Sequence, residues 1–394
     1  MKYDFDTLRL RRGMDAGKWA ELENGPFADT DYIPFSVADM EFLTPPELVE
    51  AMVERAQYGM YGYTFPGRAF YGAVADWMRR RHGWTVEPEW IVPVDGVVGG
   101  LYEAVRALTE PGDGVIIQPP VYFPFRAAVV NTGRTLVENP LRTENGRYVM
   151  DFDDLAEKAK RAKAIIVCSP HNPVGRVWSE EELRRLGDIC CENGVTVIVD
   201  EIHHDIVNPA FRHTEYGTLG EKYAANAVIC TAASKTFSTP GLNTSSIIIP
   251  DGALRARFRA QLDRDGRHFQ SCFGMLATTA AYTKCGEWVD EMNEYVAANY
   301  GALCRFVSER LPGVRVSPLE GTYLAWIDFG VFGLTPEELT AFLAGECGVY
   351  MNDGAMFGAA GAGFGRMNLA CPRAPLMDAL GRIESGARAR GLIG

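Results

Sequence analysis

Lys235 sits in Ser234-Lys235-Thr236-Phe237, directly after the apolar run AVICTAA. A lysine that follows a buried strand lies in the crevice at the strand's carboxyl end, where open α/β sheets bind ligands. Burial and cationic neighbours lower a lysine's pKa, so its amine can form an imine and later act as a base. The plainer role for a lysine at a strand end is solvation. Asp200 closes another apolar run, VTVIVDE. A carboxylate there can keep a pyridine nitrogen protonated and its ring an electron sink, or it can simply cap the next helix.

Four further stretches offer groups of the same kind. In Ser169 to Gly175 (SPHNPVG) an Asn stands between two prolines, a stiff turn that directs the Asn172 amide at a partner such as a phenolic oxygen. The bond before Pro173 can be cis there, and the stretch can equally be only a turn. Asp95 to Gly100 (DGVVGG) precedes a helical pattern, so its glycines expose backbone N–H groups at the positive end of a helix, a ready phosphate site. Its glycine spacing is not that of a dinucleotide-binding turn. Pro119-Pro120-Val121-Tyr122 puts an aromatic ring at the same sheet edge, for stacking on a cofactor or for core packing. Arg366, in Gly365 to Leu369 (GRMNL), is a guanidinium within an apolar stretch, suited to a bidentate grip on a carboxylate or to a structural ion pair.

Positioning these groups requires a sheet whose strands end along one edge. Short apolar runs at 114–118, 164–168, 195–199, 227–231 and 245–249 alternate with helical patterns. One of these, Ser179 to Asn193, opens with a capping serine and acidic residues and ends in Asn-Gly. Strands apolar on both faces predict an α/β fold with a mostly parallel, doubly wound sheet. The chain ends read differently: a long helix over 287–311, a strand over 323–328 and a helix over 336–345. The expected organisation is a large domain over 47–286 and a smaller α+β domain built from 1–46 and 287–394. Gly354 to Gly365 (GAMFGAAGAGFG) reads as a mobile loop.

Composition narrows the partners. A net charge of −12 over 394 residues opposes nucleic-acid binding, which needs a basic footprint. No apolar run reaches membrane-spanning length and no signal peptide is visible at the first residues. Nine cysteines, an odd number without a Cys-x-x-Cys pair, predict free thiols in a reducing cytoplasm.

Taken in order, these signals resemble the fold-type I pyridoxal 5′-phosphate (PLP) enzymes over essentially the whole chain. Within them the chain is most similar to the cystathionine β-lyase-like branch of the class I/II aminotransferases. The branch marks are Phe35 to Phe42 (FSVADMEF), Tyr61-Gly62-Tyr63, Asp200 to His203 (DEIH), Ser234 to Phe237 (SKTF) and Asn368 to Arg373 (NLACPR). The resemblance implies that Lys235 carries PLP as a Schiff base and that Asp200 pairs with the pyridinium. It further implies that Asn172 meets the ring hydroxyl, Tyr122 stacks on the ring, and Gly96, Val97 and Val98 hold the phosphate. His203 and Ser234 complete the cofactor set. Arg366 takes the substrate α-carboxylate, and Tyr63 reaches the cofactor of a neighbouring subunit, so a homodimer with shared sites is implied.

Three positions depart from the broader aminotransferase pattern: His203 in place of a Tyr, Ala232 in place of a Ser, and Asn243 in place of an Arg. The first and last are familiar in the lyase branch, and Ala232 has no explanation. His203-His204 as metal ligands is set aside because the sequence shows no third ligand. The expected activity is α,β-elimination on a cysteine thioether such as L-cystathionine, giving thiol, pyruvate and ammonia. The alternatives are an aminotransferase, since the same residues serve proton transfer there, and a PLP-binding regulatory protein. Asp39, Glu41 and the 354–365 loop are the candidates for the distal pocket wall.

Overall fold

The computed structural model describes residues 1–28, 31–268 and 270–394. Its centre is a seven-stranded sheet, formed by β1 (Ile91–Val94), β2 (Gly114–Ile117), β3 (Thr135–Glu138), β4 (Ala162–Cys168), β5 (Thr196–Asp200), β6 (Ala227–Thr231) and β7 (Ser245–Ile248). The spatial order is β1-β7-β6-β5-β4-β2-β3. All pairs are parallel except those made by β7, which runs antiparallel to β1 and β6. The α/β class and the mostly parallel sheet are therefore as expected, and all five expected strands are present within a few residues. The two that the sequence did not disclose, β1 and β3, lie at the sheet's edges. β1 contains Pro93 and β3 carries exposed Thr135 and Glu138, so neither reads as a continuous apolar run.

Hydrophobic burial holds this sheet. Ile165, Ile166, Val197, Ile198, Val199, Val228 and Ile229 have no solvent exposure, and each such side chain is worth about 1.5–3 kcal/mol in transfer from water. Helices cover both faces, among them α1 (Arg68–His82), α2 (Val97–Leu108), α3 (Glu180–Asn193) and α4 (Ala233–Thr236). Ser179 and Glu182 form a reciprocal capping box on α3, and Gly194 ends it in a left-handed turn.

A second sheet follows α5 (Gly286–Arg310): β8 (Arg315–Val316), β9 (Leu324–Asp328), β10 (Asn352–Asp353) and β11 (Phe364–Asn368), in the order β8-β9-β11-β10. The chain closes with α6 (Arg373–Ala389). Ile33–Pro34 pairs in parallel with Val349–Tyr350, which brings the two chain ends together. The stretch 354–365 departs from the expected loop. It forms two short 3-10 turns, Gly354–Phe357 and Ala359–Gly361, before β11 begins. A Cβ on Gly354 would stand 2.1 Å from the Gly361 carbonyl oxygen, so the glycines serve close backbone packing.

Among the described residues no helix is long and apolar enough to cross a membrane. All nine cysteines are unpaired.

Candidate active site

The carboxyl ends of β2, β4, β5 and β6 open on one cavity of about 220 Å³. Its lining includes Gly96, Val97, Val98, Tyr122, Asn172, Asp200, His203, Ser234 and Lys235. Folding thus brings together nine of the residues singled out from the sequence. They arrive from separate strand ends because parallel strands all point the same way. Gly96 has a φ of +112°, a conformation open to glycine, and turns the chain into the first N–H groups of α2. A Cβ there would meet no atom within 4 Å, so the space beside those amides is clear. Asn172-Pro173 is cis, as are Pro119-Pro120 and Ser169-Pro170.

Arg366 reaches this site from β11. Its guanidinium donates to Asn172 Oδ1 at 3.0 Å, Asn352 Oδ1 at 2.5 Å and the Ser36 carbonyl at 3.0 Å, while Nε has no partner. It is buried, and no carboxylate pairs with it among the described contacts. The structural ion pair weighed for it is therefore not what the geometry shows. Tyr63 does not join the cavity of its own chain: it is 84% exposed on the extended stretch before α1.

Sequence reasoning passed over the roof of the site. Residues 36–39 cross above Lys235 with every carbonyl engaged. Ser36 O takes Arg366, Val37 O takes Asn368, and Asp39 O takes Asn368 and Lys18. Ala38 O takes the Lys235 amine at 2.5 Å and the Tyr323 hydroxyl at 3.0 Å. FSVADMEF is a family mark in the sequence, but nothing in it reveals that a carbonyl meets the lysine. Asp39 and Glu41 do not line the cavity around Lys235. Arg11 lies 2.8 and 2.7 Å from their carboxylates and buried Lys18 lies 3.0 Å from each, so they pin the roof.

Electrostatics make the site reactive. Burial lowers the Lys235 pKa to about 8; Arg366 pushes the same way, and Asp39 and Asp200 oppose them. Asp200 is pushed up to about 7 by burial, against one backbone hydrogen bond from Ile202 and the pull of Lys235. His203 is held neutral by burial and then by the charges of Lys235 and Arg366, and its Nδ1 is buried without a partner. Asn243, at a φ of +45°, lines the cavity, whereas Ala232 is buried outside it. The other histidine of the pair corrects the sequence reading. His204 lies beside His82, Asp205 and Glu215, so close ionisable neighbours exist that spacing did not disclose.

The family model for aminotransferases of class I and II matches residues 30–383. The chain belongs to the aminotransferase class I and II family. Within it the chain is 42% identical to cystathionine β-lyase PatB of Bacillus subtilis, over 97% of this chain and 99% of that one. Cystalysin of Treponema denticola, solved with PLP, superposes with a TM-score of 0.96 at 35% identity, covering 99% and 100% of the two chains. A PLP-bound C-S lyase from Staphylococcus hominis gives 0.91 at 32% identity over 98% of each.

The residues of this family member fit PLP. Asp200 is a buried carboxylate with a single backbone donor and a raised proton affinity, suited to a ring N–H. The first-turn amides of α2, which have no partner within the helix, stand beside clear space at Gly96, and the unpartnered His203 nitrogen and the depressed lysine complete a polar set.

Proposed function

We propose that this chain is a PLP-dependent carbon–sulfur β-lyase that cleaves L-cystathionine or a related cysteine S-conjugate to a thiol, pyruvate and ammonia. The observation that carries this reading is its end-to-end identity of 42% with a cystathionine β-lyase. The cavity's chemistry supports its PLP-dependent part, since the same residues also serve transamination.

Lys235 and Asp200 are the residues that would hold PLP at its aldehyde and its ring nitrogen. Asn172 would hold the ring oxygen, with His203 and Ser234 beside it. Tyr122 would lie against the ring, and the amides of Gly96, Val97 and Val98 would take the phosphate. When bound, PLP supplies an electron-withdrawing ring that accepts the electron pair of a breaking Cα–H bond. The protein does the rest. Arg366 grips the substrate α-carboxylate, its own direction fixed by Asn172, Asn352 and Ser36. Lys235 removes the α-proton at Nζ, a task suited to an amine with a pKa of about 8. Ala38 O, itself held by Tyr323, gives that amine a resting partner. The released pair forms Cα=Cβ, the Cβ–S bond breaks, and sulfur leaves with its electrons to be protonated as the thiol. The enamine then takes up water and yields pyruvate and ammonia.

Incubating the holoenzyme with cystathionine and no keto acid is expected to give homocysteine, pyruvate and ammonia in equal amounts. Absence of pyruvate at every substrate concentration overturns the assignment. The family name also favours a second reading, transamination, which instead requires a keto-acid acceptor and gives no net ammonia.

The same proposal includes a homodimer in which Tyr63 of the partner subunit reaches the phosphate. Tyr58, Met60, Tyr61, Tyr63 and Phe65 are all more than half exposed, an apolar run that a second copy would cover. Nine unpaired cysteines support a cytoplasmic location. The division into 47–286 against 1–46 with 287–394 is proposed with it, supported by the separate sheets.

A further inference from the structure

Beside the cavity but outside its lining, six ionisable side chains are enclosed together: His82, Glu201, His204, Asp205, His213 and Glu215. Each side chain is at most 6% exposed. Two imidazoles form the centre. The His82 and His204 rings stack at 4.2 Å, 14° from parallel. One carboxylate lies at each end of the stack. Asp205 is 2.9 Å from His82 Nε2 and 3.4 Å from His204 Nε2, and Glu215 is 3.0 Å and 2.6 Å from their Nδ1 atoms. A metal ion bound by imidazole lies in the ring plane along the nitrogen lone pair, and two nearly parallel planes do not meet at one ion. Shared protons, rather than a cation, explain this stack.

Asp205 connects the cluster to the site. Its carboxylate accepts from Thr236 Oγ1 at 2.8 Å and from Trp77 Nε1 at 3.1 Å, in addition to His82. His204 Nε2 stands alongside this carboxylate at 3.4 Å. Burial opposes its ionisation, but the His204 charge and the hydrogen bonds from His204 and His82 outweigh it and hold the carboxyl well below its usual range. Thr236 is the residue after Lys235 on the single turn α4. The two side chains leave that turn in different directions, Lys235 towards Ala38 and Thr236 into the cluster. Successive helical side chains are about 100° apart, so anchoring Thr236 sets the rotation of the turn and with it the direction of the lysine.

We propose that Asp205 is a positioning residue for Lys235, acting through the Thr236 hydroxyl, with the stacked His82 and His204 rings set against its carboxylate. The inference rests on the reading of Lys235 as the cofactor-bearing lysine. It predicts that removing the hydroxyl slows the capture of PLP by Lys235 more than it weakens the fold.

The test compares Thr236→Val, which keeps the shape, with Thr236→Ser, which keeps the hydroxyl, and with Asp205→Asn. Each apoprotein is mixed with PLP, and growth of the visible absorbance band is followed beside its thermal midpoint. Thr236→Val is expected to capture PLP on the order of tenfold more slowly, the loss of one hydrogen bond to a charged group, with kcat lowered in step and KM within about twofold. Thr236→Ser is expected to capture at the unmodified rate although it loses a methyl group. Equal capture rates for Val, Ser and unmodified protein overturn the inference while leaving the lyase reading intact. If the unmodified protein captures no PLP, both fall. If Asp205→Asn does not fold, the Val–Ser pair decides alone.

Discussion

At the scale of single residues, the site depends on how burial shifts proton affinities. Lys235 is a base because its ammonium is poorly solvated, and its pKa near 8 lies within reach of neutral pH. Only the neutral amine is a nucleophile. Modification of Lys235 in the apoprotein by an amine-selective reagent is therefore expected to rise with pH to a plateau, with a midpoint about two units below that of surface lysines. Mass spectrometry of the labelled peptide reads it, and a midpoint at the surface value contradicts the electrostatic picture. Arg366 makes a second case. Arg366→Lys keeps the charge but loses the planar fork, and kcat/KM for cystathionine is expected to fall about 10- to 100-fold. Both residue types were legible as candidates from the sequence, since Lys235 follows an apolar run and Arg366 interrupts one. Their partners were not: Ala38 and Ser36 act through carbonyls, which every residue carries.

Elements position these groups, and their stability can be tested separately. Ser179→Ala removes the side-chain half of the α3 capping box and is expected to destabilise the protein by about 1 kcal/mol in urea unfolding, with activity unchanged. The turn after β4 carries a buried histidine whose titration has a definite sign. His171 is held neutral by burial, its pKa lowered to about 4, with Nε2 2.9 Å from the Pro120 carbonyl. In the unfolded chain it takes a proton near pH 6.5, which the native turn refuses down to about 4. Its contribution to stability is thus lost as pH falls from about 6.5 to about 4, by up to about 3 kcal/mol. His171→Gln is expected to narrow the difference between urea midpoints at pH 7.5 and 4.5. An unchanged difference would place the proton elsewhere. The capped helix was readable from its first and last residues, because caps are local. The edge strands β1 and β3 were not, because Pro93 interrupts the one and exposed Thr135 and Glu138 break the other.

The whole molecule raises the question of a second chain. A tyrosine that the family resemblance assigns to the cofactor stands 84% exposed on its own chain, amid an apolar surface run. If the proposed dimer shares its sites, Tyr63→Ala and Lys235→Ala subunits complement each other. A mixed dimer then holds one intact site, with Lys235 from one chain and Tyr63 from the other. Mixing the two after unfolding and refolding is expected to restore activity that neither has alone. A mixture no more active than its components refutes shared sites.

The sequence by itself determined the strand–helix alternation, the strand-end placement of Lys235 and Asp200, and the class of chemistry. The first two follow from local pattern and from the rule that parallel strands expose their carboxyl ends together, and the chemistry from the family resemblance that the motifs carry in order. Only the tertiary structure decided what faces what. It turned Asp39 and Glu41 from pocket candidates into anchors for the roof over the lysine. It also gathered His82, Glu201, His204, Asp205, His213 and Glu215, spread over more than a hundred residues, into one enclosed cluster. Buried ionic groups acquire their meaning from partners distant in the chain, and spacing carries no record of those contacts.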